Sequence, residues 1–148
     1  YKNTPNMEVF AEGVAAYGRT DTVCYNGDIN SVADYERFIG NYPDIMKVMI
    51  GRGMIADPCL AERIKSTATG RAYDWNRFFT FHDELYNNYC ESDVGRGNTM
   101  FKMKELWAYW SRLFVDMEGA ERALKKIRKT RDNGEYEAAV RVLAALCR

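Results

Sequence analysis

The chain has 148 residues, 47% of them hydrophobic and 14% aromatic, with 21 Lys and Arg balanced by 21 Asp and Glu. That much apolar material excludes a disordered chain and allows one ordinary domain or two small ones. Zero net charge leaves attraction to a polyanion to local clustering alone, and no apolar run approaches the roughly 18 residues that would span a bilayer, so no membrane partner is expected.

Thr4 and Pro5 have the form of an N-cap and first helical residue, and Met7, Phe10, Val14 and Tyr17 recur at helical spacing up to Gly18. Thr22 to Tyr25 read as a strand covered on both faces, because no charge alternates along it. Asn26-Gly27-Asp28 follows as a turn. Ser31 and Asp34 then form a variant capping box for a helix with Val32, Tyr35, Phe38 and Ile39 on its buried face up to Gly40. Met46 to Ile50 make a second strand, Gly51-Arg52-Gly53 a loop, and Asp57-Pro58 the cap of a helix carrying Leu60 and Ile64. Two strand-loop-helix units of a parallel α/β fold result.

Ser66 to Gly70 is a small polar linker, after which only helical periodicity remains. One apolar stripe holds Trp75, Phe78, His82, Leu85 and Tyr89, and a wider one Met100, Met103, Leu106, Trp107, Trp110, Leu113 and Phe114. A third runs through Ala120, Ala123, Leu124 and Ile127, and after a turn at Asn133-Gly134 a fourth holds Tyr136, Ala139, Val140, Leu143 and Leu146. Four such helices with short connections predict an up-and-down bundle, with a domain boundary near Gly70 that separates residues 1–69 from 70–148.

The two glycine-bearing turns close successive strands at their carboxyl ends, where parallel α/β folds hold ligands. Glycine lets backbone N–H groups approach an anion, and Arg52 can neutralise it. Turn statistics alone also place glycine and Asn/Asp there.

Val23-Cys24-Tyr25-Asn26-Gly27-Asp28-Ile29, with Ser31 and Asp34, followed by Val48-Met49-Ile50-Gly51-Arg52-Gly53 and Pro58-Cys59-Leu60, closely resembles the tRNA-dihydrouridine synthases. The resemblance is to the last two βα units of their flavin-binding TIM barrel, here truncated, with the helical remainder similar to their four-helix tRNA-gripping domain. Phe101 to Trp107 loosely matches that domain's basic-aromatic helix. The resemblance implies an enzyme that binds FMN, takes hydride from NADPH and reduces the C5–C6 bond of selected uridines in tRNA. It implies that Asn26, Gly27 and Asp28 lie against the flavin's ribityl and phosphate, and that Gly51 and Arg52 hold the phosphate.

The catalytic acid and the other flavin contacts of such enzymes come from earlier strands, so no catalytic residue is expected in this chain, and the piece by itself is expected to be inactive. The chain opens at Tyr1 without an initiator methionine, which fits an expressed or proteolysed piece of something longer. Two strands alone would leave open edges, so self-association or pairing with a missing N-terminal part is also expected.

The basic run Arg122, Lys125, Lys126, Arg128, Lys129 and Arg131 contains no acid, and Lys102, Lys104 and Arg112 extend it into a candidate nucleic-acid surface. A solvated helix face is the plain alternative. Aromatics nearby fall on buried stripes, so base stacking is not expected there. His82, the only histidine, lies on an apolar stripe and reads as a packed residue, and ligands for a metal site are wanting.

Cys24, Cys59, Cys90 and Cys147 are widely spaced with no C-x-x-C pair, and with no secretory leader read before them they are expected as idle thiols in a reducing cytoplasm. Two rival functions remain open at this point, an RNA-binding or interaction module without catalysis and an FMN-dependent TIM-barrel oxidoreductase acting on a small molecule.

Overall fold

The structure is a computed structural model that describes residues 4–66, 72–92 and 98–147. The described residues hold eight α-helices, two 3-10 turns and two strands of two residues each. The chain divides into two compact units, Tyr1–Met54 with Leu60–Thr67, and Ile55–Cys59 with Ala68–Arg148. The expected linker from residue 67 onward and the boundary near Gly70 lie outside the described residues.

In the first unit, α1 (Met7–Tyr17) starts two residues later than the Thr4-Pro5 pattern suggests. Asn6 is the true N-cap, its side-chain oxygen accepting from the N–H groups of Glu8 and Val9 at 3.0 and 3.1 Å. Gly18 ends the helix at φ +71°, in the left-handed region that glycine enters without steric penalty. A 3-10 turn (Thr20–Thr22) occupies the first part of the expected strand, leaving β1 as Cys24–Tyr25.

The capping box forms as expected. The Ser31 hydroxyl accepts from the Asp34 N–H at 3.1 Å and donates to its carboxylate at 2.8 Å, opening α2 (Val32–Asn41). β2 (Lys47–Val48) pairs with β1 in parallel, Cys24 opposite Lys47 and Tyr25 opposite Val48. α3 (Arg52–Ala56) and α4 (Leu60–Lys65) follow. In this unit α4 packs on α2 and carries the fully buried Leu60. The core is aromatic: Tyr25 stacks on Phe38 at 4.0 Å, and Phe10 meets Tyr25 and Tyr42 edge-on at 5.1 and 5.2 Å.

The second unit packs α5 (Trp75–Ser92), α6 (Asn98–Trp110), a 3-10 turn (Ser111–Phe114), α7 (Ala120–Lys129) and α8 (Asn133–Leu146) around one core. Phe78, Met103, Trp107, Trp110, Phe114, Ile127, Tyr136 and Leu143 are among its fully buried side chains. Truncating one of the large aromatics to alanine there costs about 3–5 kcal/mol. The final helix is capped by Asp132, which accepts from Glu135 N–H at 2.8 Å, so Asn133 is its first residue rather than part of a turn.

The expectation of an α/β portion made of TIM-barrel units is overturned. The described residues are dominantly helical, and the sheet consists of two paired strands with two residues apiece. A barrel needs a sheet closed on itself with every edge paired. Here only Met49 N–H, donating to Tyr25 C=O at 2.8 Å, continues the ladder beyond the two paired positions. The strand expected at Thr22 to Tyr25 is not covered on both faces, Thr22 and Cys24 being exposed, and the one expected at Met46 to Ile50 leaves Met46 80% and Met49 55% exposed.

Candidate functional site

Although no barrel forms among the described residues, the two glycine-bearing motifs do converge, the second not as the expected loop, because Arg52 and Gly53 open α3. β1 and β2 run in parallel, so the residues following them emerge at the same end of the pair. There Asn26, Gly27, Asp28, Ile29 and Asn30 line one cleft with Gly51, Arg52 and Gly53, enclosing about 480 Å³. Thr4, Pro5 and Asn30 complete the rim and were missed in the sequence, where nothing in their spacing points to a site.

The three glycines have different reasons. A Cβ on Gly27 would fall 1.9 Å from the Tyr25 hydroxyl, and one on Gly53 would fall 2.1 Å from the Ile29 carbonyl oxygen, so packing demands glycine at both. At Gly51 a Cβ would meet nothing within 4 Å. The smallness of Gly51 therefore keeps space open beside Arg52 rather than relieving a clash.

Arg52 and Asp28 form an ion pair across the cleft, with side chains 56% and 37% exposed. At that exposure the pair is worth about 0–1 kcal/mol, so it orients Arg52 without locking it. The N–H groups of Gly27 and Asp28 make no hydrogen bond among the described residues, while Ile29 N–H donates back to Gly27 C=O at 3.0 Å. Beside the mouth, the Tyr25 hydroxyl is held above its ordinary pKa by burial and by the neighbouring Asp28 charge, so it stays protonated. A guanidinium, two free amides and an open glycine fit the phosphate end of a cofactor such as FMN, with the Asp28 carboxylate as the one opposing charge.

The predicted basic surface is partly as expected. Ala120, Ala123, Leu124 and Ile127 are the buried residues of α7. At about 100° per residue, Arg122, Lys125, Lys126 and Lys129 fall on the opposite face and Arg128 flanks them. All five are exposed and form no ion pair among the described residues. Cations in the last turn suit the helix dipole. That does not account for Arg122 or Lys125, nor for Arg122/Lys126 and Lys125/Lys129, which repel at i,i+4 spacing by about 0.2–0.5 kcal/mol each.

The other candidates are engaged differently. Lys102 lies over the Tyr89 ring at 4.9 Å from its centroid. Lys104 donates to the Thr130 carbonyl, tying α6 to the end of α7. Arg112 is exposed on the 3-10 turn after α6. Phe101, which lies off the stripe through Met100 and Met103, is 73% exposed.

His82 is 2% exposed and structural. Trp107 Nε1–H donates to the Tyr136 hydroxyl at 2.8 Å, and because the Asp83 carboxylate on the other side of the ring can only accept, Tyr136 donates its own proton to His82 Nε2 at 2.7 Å. The ring proton is thereby assigned to Nδ1, which donates to Asp83 at 2.8 Å. Burial lowers the His82 pKa, against an opposing pull from Asp83. Burial likewise raises the Tyr136 hydroxyl well above its usual value.

The four cysteines are free, Cys59 buried and Cys24 and Cys90 exposed. Among the described residues no group of acidic, cysteine and histidine side chains could hold a metal ion, and no helix is long and apolar enough to cross a membrane. No protein-family model, curated protein or solved structure matches the chain.

Proposed function

We propose that this chain is the C-terminal part of an FMN-dependent tRNA-dihydrouridine synthase, acting with NADPH as reductant. The convergence of Asn26-Gly27-Asp28 and Gly51-Arg52-Gly53 on one cleft supports this reading, since the pairing of β1 with β2 brings the two motifs bearing the resemblance to a single opening. Bound there, the flavin would supply hydride transfer to the C5–C6 bond of uridine. The chain's own residues bind and orient: Arg52 and the amides of Gly27 and Asp28 hold the phosphate, Asn26 and Asp28 meet the ribityl hydroxyls, and Gly51 leaves room. The proton donor for the uracil lies elsewhere in the parent protein.

The parent enzyme, purified with its upstream residues, should carry FMN and form dihydrouridine in tRNA. Arg52→Ala should weaken FMN binding by about tenfold or more, the worth of one charge-assisted hydrogen bond. A colourless parent that takes up no added FMN overturns the assignment.

A second reading, an RNA-binding module without catalysis, is favoured by the unpaired cationic face of α7 alone. It shares the RNA partner and omits the flavin, so the same FMN measurement separates the two.

A further inference from the structure

A second cleft, of about 520 Å³, opens on the helical unit, where Phe101 and Lys104 of α6 face Arg131, Asp132 and Asn133 of the α7–α8 junction. Phe101 is 73% exposed, and its ring makes no aromatic contact with the described residues, although the same helix buries Met100, Met103, Trp107 and Trp110. The core therefore does not explain Phe101. Two cations, Lys104 and Arg131, face one acid, Asp132, in the lining. The Arg131 side chain has no ion-pair partner among the described residues, and its N–H is held by the Glu135 carboxylate at 2.9 Å, which fixes its place at the rim. Lys104 donates one proton to the Thr130 carbonyl and keeps two more. The one acid in the lining, Asp132, is committed to capping α8.

We propose that this cleft receives one unstacked nucleotide of a single-stranded RNA segment, its base stacked on Phe101 and its phosphate drawn to Arg131 and Lys104. The proposal rests on the RNA-binding part of the reading above and extends it to a defined pocket. A free aromatic face accepts any base, but only one splayed out of a helix, because stacked bases in a duplex present no face. The Asn133 amide offers a donor and an acceptor to the base edge. Arg131 follows two residues after Lys129, just past the C-terminal end of α7. Charge of this sign beside an exposed ring suits a polyanion with accessible bases.

The test compares a short oligouridylate with a blunt RNA duplex of equal length. Wild type should bind both, through α7. Phe101→Leu, which keeps an apolar side chain of similar bulk and removes the ring face, should lower affinity for oligouridylate about tenfold and leave the duplex unchanged. Phe101→Tyr should restore it, and Arg131→Gln should flatten the salt dependence for the single strand by about 0.7 in log–log slope. Equal affinity of wild type and Phe101→Leu for oligouridylate, or an equal loss on both RNAs, overturns the nucleotide pocket while leaving RNA binding by α7 intact. Failure of wild type to bind either RNA overturns the RNA reading itself, and the pocket with it.

Discussion

Replacing Tyr136 by phenylalanine deletes a single oxygen, yet it should be among the most damaging conservative changes in the chain. The hydroxyl sits between two buried partners, accepting from Trp107 Nε1 at 2.8 Å and donating to His82 Nε2 at 2.7 Å. Trp107 is 1% exposed and His82 2%, so neither can turn to water. Each orphaned group costs about 1–3 kcal/mol, and the pair about 2–5 kcal/mol, a large share of the roughly 5–15 kcal/mol that holds an ordinary domain together. All three tryptophans, Trp75, Trp107 and Trp110, belong to this helical unit, so intrinsic fluorescence in a urea titration reports its unfolding without interference from the other. The midpoint should fall by about 1 M or more. Tyr86→Phe serves as the control. It removes a 3.0 Å bond to the exposed Glu137 carboxylate, which water can replace, and should cost about 1 kcal/mol. A Tyr136→Phe protein within about 0.5 kcal/mol of wild type would refute the relay from Trp107 through Tyr136 to His82.

The same relay sets a pH dependence. Burial lowers the His82 pKa below its ordinary 6.5, so the unfolded chain binds a proton that the folded one refuses; stability of the helical unit should fall as pH drops below about 6.5, stay level above it, and lose this slope in His82→Gln. Gly53→Ala should destabilise the first unit by about 1–3 kcal/mol, because the new Cβ meets a backbone oxygen that cannot swing away, whereas Gly51→Ala should fold within about 0.5 kcal/mol of wild type; hydrogen exchange at the Met49 amide reads both, and equal effects would contradict the steric account. Changing Lys125, Lys126 and Lys129 to glutamate should leave the fluorescence-detected midpoint nearly unchanged and reduce the salt slope of RNA binding by about 0.7–0.9 for each phosphate no longer neutralised; unchanged affinity would remove α7 from the binding surface.

The helical half was legible because its signals were long. A stripe such as Met100, Met103, Trp107 and Trp110 repeats over three turns, and all four side chains are buried. The Ser31–Asp34 box was equally readable, since its chemistry is local. The strands were not. An apolar run of four or five residues has the same composition whether it is buried on two faces or left with Met46 and Met49 in water, and only neighbouring strands decide which. The candidate cleft was legible as two separate turns, but its Asp28–Arg52 pair joins a loop to the first residue of α3, 24 residues on in sequence, and depends on strand register. Phe101 escaped for the opposite reason. It stands beside Met100 but off that stripe, and one residue of helical rotation carries a side chain from the core to the surface, where sequence alone assigns it no task.

The Asp28–Arg52 pair would set up a competition for any anion entering the first cleft. A carboxylate already occupies the guanidinium, so an incoming group must outcompete a single negative charge held on the same scaffold. Chloride or a phosphodiester brings no more charge than Asp28 does and gains little by displacing it, whereas a terminal phosphate with close to two charges gains at once. If the cleft holds a phosphate as proposed, a rival worth about 0–1 kcal/mol would bias it only a few-fold toward phosphate monoesters over singly charged anions, and being tethered it would reclaim Arg52 when the ligand leaves.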